Sequence, residues 1–141
     1  MKKDGKNYPK EAIDLLTDLL NGKEEAGKML LAAGYLELVM IKDAAEGKTG
    51  VIDVLMKKGY LVIAGFLTAI LTDNRSPIPV LAKNGAAHWA AAANYFLKDK
   101  KALAFLEQSG FHHYITFIDA LKKRMDKEEG SGLEMLFRPP I

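Results

Sequence analysis

An all-α domain is what this sequence predicts, on three observations. Its five prolines fall at 9, 77, 79, 139 and 140, which leaves two long proline-free tracts rich in Leu and Ala, residues that favour helix. Apolar side chains recur at helical spacing, first as Ile13, Leu16, Leu19 and Leu20. Glycines close the apolar runs at 34, 59, 85 and 110, separated by 25, 26 and 25 residues. That regularity predicts an internal repeat.

Taken in order, Pro9 suits a position just before or at the first turn of a helix, and Asn21-Gly22 stops that helix. The glycine-centred units then read Leu30-Leu31-Ala32-Ala33-Gly34-Tyr35, Leu55-Met56-Lys57-Lys58-Gly59-Tyr60, Leu81-Ala82-Lys83-Asn84-Gly85-Ala86 and Leu106-Glu107-Gln108-Ser109-Gly110-Phe111. Each has Leu four residues before a glycine that can take the left-handed conformation at a helix end. An apolar helix follows each corner, as in Tyr60 to Thr72 and Ala86 to Leu97, and the polar turn Lys98-Asp99-Lys100-Lys101 ends the latter. Between the halves, Asp73-Asn74-Arg75-Ser76-Pro77-Ile78-Pro79 is the expected interhelical break. The last helix is expected from Phe111 to about Lys127. Recurring units of a short helix, a glycine corner and a longer helix predict a short right-handed helical-repeat solenoid with an extended surface, or else a compact helical bundle.

Composition narrows the function classes. The chain has 141 residues, 49% hydrophobic and 27% charged, which suits one globular domain. It has no cysteine, which excludes disulfides, thiolate zinc sites, iron–sulfur clusters and cysteine nucleophiles, and fits a cytoplasmic location. The formal charge is +2, with Lys2, Lys3, Lys6 and Lys10 against Asp4 at the start, too weak a balance for a nucleic-acid partner. Asn7 to Glu11 interrupt the basic start, so no signal peptide is expected. The longest apolar stretch, Tyr60 to Leu71, falls short of the roughly 20 residues that a membrane span requires.

Little in the sequence points to catalysis, and no catalytic residue, metal or cofactor is expected. The three histidines, His88, His112 and His113, form no metal-binding pair on one helical face. A couple between His113 and Glu107 or Asp119 is the enzymatic alternative, a small helical enzyme using a histidine. Glu46-Gly47-Lys48-Thr49-Gly50 lacks the upstream glycine of a phosphate-binding loop. Lys122-Lys123-Arg124, with Asp126, Glu128 and Glu129 after it, is expected to form a solvated helix end. The aromatic series Tyr35, Tyr60, Trp89, Tyr95, Phe96, Phe111 and Tyr114 is expected mostly in the core, with Trp89 the partly exposed anchor of a binding surface.

From Pro79 to about Lys123 the chain resembles an armadillo repeat. The run Gly85-Ala86-Ala87-His88-Trp89-Ala90-Ala91-Ala92-Ala93-Asn94-Tyr95-Phe96-Leu97 looks like the family's third helix, running through Lys98 to Gly110 into the next unit's first helix with its terminal glycine. The resemblance implies an armadillo-like or HEAT-like scaffold that binds extended peptides along those third helices, with Asn94 as a peptide contact.

After the helices, Gly130-Ser131-Gly132 reads as a flexible spacer. Beyond it, Leu133, Leu136 and Phe137 stand at i, i+3 and i+4, the pattern by which a helical peptide docks in an apolar groove. The segment also resembles a viral protease recognition sequence used in expression vectors, and native packing of the tail is a third reading. The expected organisation is a domain over 1–129, a linker over 130–132 and a tethered peptide-like tail over 133–141. The expected function is a non-enzymatic adaptor that binds a short hydrophobic motif of a partner protein, with Trp89, Asn94, Phe96, Tyr114 and Phe117 as the peptide-binding residues. A homo-oligomeric structural protein, formed for example by tail exchange, is the further alternative.

Overall fold

Every glycine corner expected from the repeat is a helix end of one type. The computed structural model describes the backbone of residues 8–137 and the side chains of residues 8–126. Among these the chain forms nine α-helices and no strand: α1 Lys10–Leu20, α2 Glu24–Ala32, α3 Leu36–Ala45, α4 Val51–Lys57, α5 Leu61–Thr72, α6 Pro77–Lys83, α7 Ala87–Phe96, α8 Lys100–Gln108 and α9 His112–Phe137. Gly34, Gly59, Gly85 and Gly110 take φ of 87°, 87°, 85° and 81°. The next residue's N–H then donates to the carbonyl of the repeated leucine: Tyr35 to Leu30, Tyr60 to Leu55, Ala86 to Leu81 and Phe111 to Leu106, each at 2.9 Å. This bond satisfies a carbonyl that the helix end would leave without a partner. The same four leucines are buried, so one residue per corner supplies both the acceptor and an anchor in the core.

The break between the halves is shorter than the sequence predicts. Pro77 and Pro79 lie inside α6, in its first turn, where a missing N–H removes no helical bond. The turn itself is confined to residues 73–76.

Alternate helices form an inner layer. Each of α1, α3, α5 and α7 packs on the next of the series, and α9 returns to pack on α1 and α3. Each outer helix, α2, α4, α6 and α8, packs on the two inner helices that flank it in sequence. The inner layer therefore closes into a ring, and the extended surface expected of an open solenoid is replaced by a filled interior. Trp89, Tyr114, Phe66 and Phe117 are wholly buried there. The Trp89 ring meets Tyr8, Phe66, Tyr114 and Phe117 edge-on, at centroid distances of 6.0, 5.1, 5.2 and 5.8 Å. Ala90 to Ala93, all buried, let neighbouring helices approach the α7 backbone around these rings. Burying each large side chain contributes about 1.5–3 kcal/mol, which drives closure of the ring.

The C-terminal segment also departs from expectation. The backbone of α9 stays helical through Gly130-Ser131-Gly132 to Phe137, so the expected spacer is part of a helix. Two glycines cost about 1 kcal/mol each in a helix, while the Lys, Glu, Leu and Met on either side favour it.

Candidate functional site

The residues predicted to bind a peptide fall into two places. Trp89, Tyr114 and Phe117 are 0%, 1% and 0% exposed and lie together in the interior of the ring. The expectation of Trp89 as a partly exposed anchor is thus corrected: inner-layer packing takes the largest apolar surface first. Asn94 and Phe96, at the end of α7, lie instead at the end of the ring opposite the glycine corners. There Asn94 Oδ1 accepts from Arg75 Nη1 at 3.1 Å, and Arg75 Nη2 donates to the Leu97 carbonyl at 3.0 Å. Arg75 so ties the 73–76 turn to the C-terminus of α7, where a cation also complements the helix dipole. The side chains of the predicted tail anchors Leu133, Leu136 and Phe137 lie outside the described residues, as do residues 138–141.

Beside this turn a groove of about 680 Å³ opens between the ends of α5 and α7 and the body of α9. Ile70, Leu71, Phe96, Leu97 and Met125 supply its apolar wall, and Asp73, Arg75, Lys98, Lys122 and Asp126 its charged groups. The Lys122 ammonium sits 5.3 Å from the centroid of the Phe96 ring, a cation–π contact that holds the aromatic at the wall. The lining offers apolar contact and ion pairing, and contains no histidine, serine or cysteine.

An ion-pair cluster stands at the same end. Glu46, after α3, accepts from Arg124 of α9 and pairs with Lys42 at 3.1 Å. Burial pushes the Glu46 carboxyl up, but the bonds to Arg124 and Lys42 outweigh it and hold the group below its ordinary range. Arg124 is therefore not part of a solvated helix end as expected. It lies in the middle of α9, 18% exposed, as a strut to α3. Its Nε has no hydrogen-bond partner.

At the glycine-corner end, sequence reasoning missed Glu37. This side chain, in the first turn of α3, is 0% exposed. Its Oε2 accepts from the Tyr8 hydroxyl at 2.7 Å, and its Oε1 has no hydrogen-bond partner. Burial first, and then the bond to Glu37, push the Tyr8 phenol far above its ordinary range. Tyr60 is raised too, by burial first and then by the Glu37 charge. The signal lay in the repeat, because Glu37, Val62, His88 and His113 each follow their corner glycine by three residues. Val62 and His88 at this register are buried.

Among the described residues His113 forms no hydrogen bond or ion pair with Glu107 or Asp119. Asp119 Oδ1 accepts from the Tyr95 hydroxyl at 2.8 Å, which helps push that phenol up to about 12, after burial as the main cause. His113 lies against the Tyr114 ring, with centroids 4.9 Å apart. Burial lowers the His113 pKa first; Lys10 and His112 lower it further and Asp14 opposes them. His88 stacks on Phe111 at 4.9 Å. Among the described residues no cluster of His, Asp and Glu could hold a metal ion, and no helix is long and apolar enough to cross a membrane.

No family model, curated protein or solved structure matches this chain.

Proposed function

We propose that this domain is a non-enzymatic adaptor that takes a short hydrophobic segment of a partner protein into the groove beside Phe96. The observation that carries the reading is the partly open apolar wall of Phe96, Leu97 and Met125, rimmed by Arg75, Lys98 and Lys122. Apolar anchors of the partner would cover that wall, and acidic groups flanking them would pair with the rim. Aromatic and apolar anchors dominate the affinity of such sites, while rim charges act mainly on association rate and specificity. The likeness of the helix pairs to armadillo and HEAT repeats belongs to this proposal and supports it by analogy of architecture. A cytoplasmic setting belongs to it as well.

The tail supplies the first probe, since Leu133, Leu136 and Phe137 stand at groove-binding spacing next to Glu134. A synthetic peptide covering residues 133–141 is titrated calorimetrically into the full chain carrying Leu136→Ala and Phe137→Ala, which removes competition from its own tail. Saturable binding that weakens at least tenfold with Phe96→Ala supports the adaptor reading. No heat at several temperatures, with the protein folded by circular dichroism, rules it out for this peptide class.

A specific observation favours one second reading, self-association. Met29, Val54, Val80 and Phe105 each precede their corner glycine by five residues and are all 40% exposed or more. Each outer helix thus shows an apolar side chain to solvent at the same register, as a surface that pairs between copies would. A concentration series in size-exclusion chromatography with light scattering separates the two readings.

A further inference from the structure

We propose that the segment taken up by the Phe96 groove is α9 of a second copy of this chain, exchanged reciprocally so that Leu133, Leu136 and Phe137 of each copy cover the groove of the other. This assignment rests on that groove being a peptide site, as proposed above, and names its occupant. The helix that would be exchanged is far longer than its neighbours: α1, α3, α5 and α7 have 11, 10, 12 and 10 residues, and α9 has 26. The end of α1 lies level with the middle of α9, since Leu20 and Asn21 line one pocket with Lys123 and Arg124. Residues 126–137 continue the helix beyond Met125, so α9 projects past the ring by about 18 Å at about 1.5 Å per residue.

The groove face of α9 runs on along this projection. Lys122, Met125 and Asp126 line the groove, and at about 100° per residue the positions of Glu129, Leu133, Leu136 and Phe137 fall with them inside about 120° of the helix circumference. An unbroken helix carries position 133 about 12 Å along from Met125, away from the groove of its own chain, so the stripe that reaches a groove comes from another molecule. Two such helices, antiparallel about a two-fold axis, bring position 136 of one to position 125 of the other and cross between Gly130 and Ser131. Small residues there let the backbones approach closely, which gives a packing use to two glycines that weaken the helix. Charge agrees: residues 127–137 carry Glu128, Glu129 and Glu134 against Lys127, and the groove presents Arg75, Lys98 and Lys122 against Asp73 and Asp126. Each copy supplies one groove and one helix, so the interface is self-complementary and closes at two chains.

Size-exclusion chromatography with light scattering, run on the full chain over a concentration series, tests the exchange. The parent is expected to reach the mass of a dimer. Phe96→Ala, which spoils the groove, and Leu136→Ala/Phe137→Ala, which spoils the helix, should each raise the dimer dissociation constant at least tenfold. Mixed at a concentration where neither dimerises alone, the two variants should form a heterodimer, because the intact helix of one meets the intact groove of the other. Circular dichroism checks that Phe96→Ala folds, and Lys98→Glu/Lys122→Glu, which reverses the rim charge, replaces it in the mixture if it does not. The proposal is overturned if the parent stays monomeric up to its solubility limit, if Leu136→Ala/Phe137→Ala dimerises like the parent, or if the mixture stays monomeric. A monomeric parent whose tail variant still binds the 133–141 peptide refutes the exchange and leaves the adaptor reading standing, whereas neither dimer nor peptide binding removes both.

Discussion

At one end of the ring the chain turns through Gly34, Gly59, Gly85 and Gly110, and at the other through Gly22, Gly47, Asp73 and Lys98, all eight with positive φ. The hydrogen bond that closes the turn is the same at both ends. At the second end it runs from Lys23 to Asp18, Lys48 to Asp43, Asn74 to Ala69 and Asp99 to Asn94, at 3.0, 3.2, 3.0 and 2.9 Å. A Cβ built on Gly59, Gly85 or Gly110 would meet nothing within 4 Å, so glycine is there for its backbone freedom and not for space. The second end accepts an aspartate and a lysine in the same conformation, at about 1–2 kcal/mol each. It is also the end that holds the Glu46 ion-pair cluster and the groove. The corner end is sealed by aromatic rings over a single carboxylate.

The contrast can be broken most forcefully with paired truncations. Trp89→Ala in the sealed interior is expected to cost about 3–5 kcal/mol, whereas Phe96→Ala at the groove should cost about 1 kcal/mol or less, because Phe96 is already partly solvated. Urea denaturation of both variants measures the difference, and equal losses would erase the distinction between the ends.

Next in size is the strut at the open end. Glu46→Gln leaves Arg124 largely buried without its counter-charge and is expected to cost about 2–3 kcal/mol. Since the Glu46 carboxyl is held below its ordinary range, its contribution is present above the unfolded value and is lost as pH falls through the lowered folded value. Stability curves between pH 6 and pH 3 should therefore converge for parent and variant at the acid end. Coincident curves would mean that the pair contributes nothing, and parallel ones that its contribution does not depend on the Glu46 charge.

A backbone pair of variants sharpens the comparison of the turns. Gly59→Ala should destabilise by about 1–2 kcal/mol, and Lys98→Gly should stabilise by about 0.5–1 kcal/mol, because it relieves a strained residue whose side chain is exposed. Opposite signs in thermal melts are the expected result. A loss in Lys98→Gly would show that unfolded-chain entropy outweighs the relief.

The smallest effect belongs to His113. Its pKa is lowered from 6.5, so its contribution is present above the unfolded value and is lost as pH falls toward the folded one. His113→Gln should slightly flatten the melting temperature against pH between about 7 and 5. An unchanged slope would place the titration elsewhere.

The helices and their corners were legible because Leu30-Gly34-Tyr35 and its three counterparts carry the whole turn within six residues. Pro77 and Pro79 misled at first sight, since proline breaks helices but also starts them, and only packing tells which. For the candidate site, Phe96 and Asn94 were legible as the end of an apolar helix, and the groove beside them was not, because Met125 and Lys122 arrive from a helix far along the chain. Trp89, Tyr114 and Phe117 were read as peptide-binding because aromatic residues serve both cores and interfaces. Arg124 was read as part of a solvated helix end, and Glu37 drew no reading, although it stands three residues after its corner glycine, the register at which Val62 and His88 are buried.

The sequence by itself determined the all-α class, the 25-residue rhythm and the place of each corner, because each rests on dihedral preferences and on a hydrogen bond between residues five apart. Tertiary structure alone decided that α9 closes on α1, that Glu37 meets Tyr8 29 residues away, and that Arg124 reaches Glu46 across 78 residues. Those outcomes depend on how much apolar surface closure buries around Trp89, a quantity summed over the whole ring that no single segment carries.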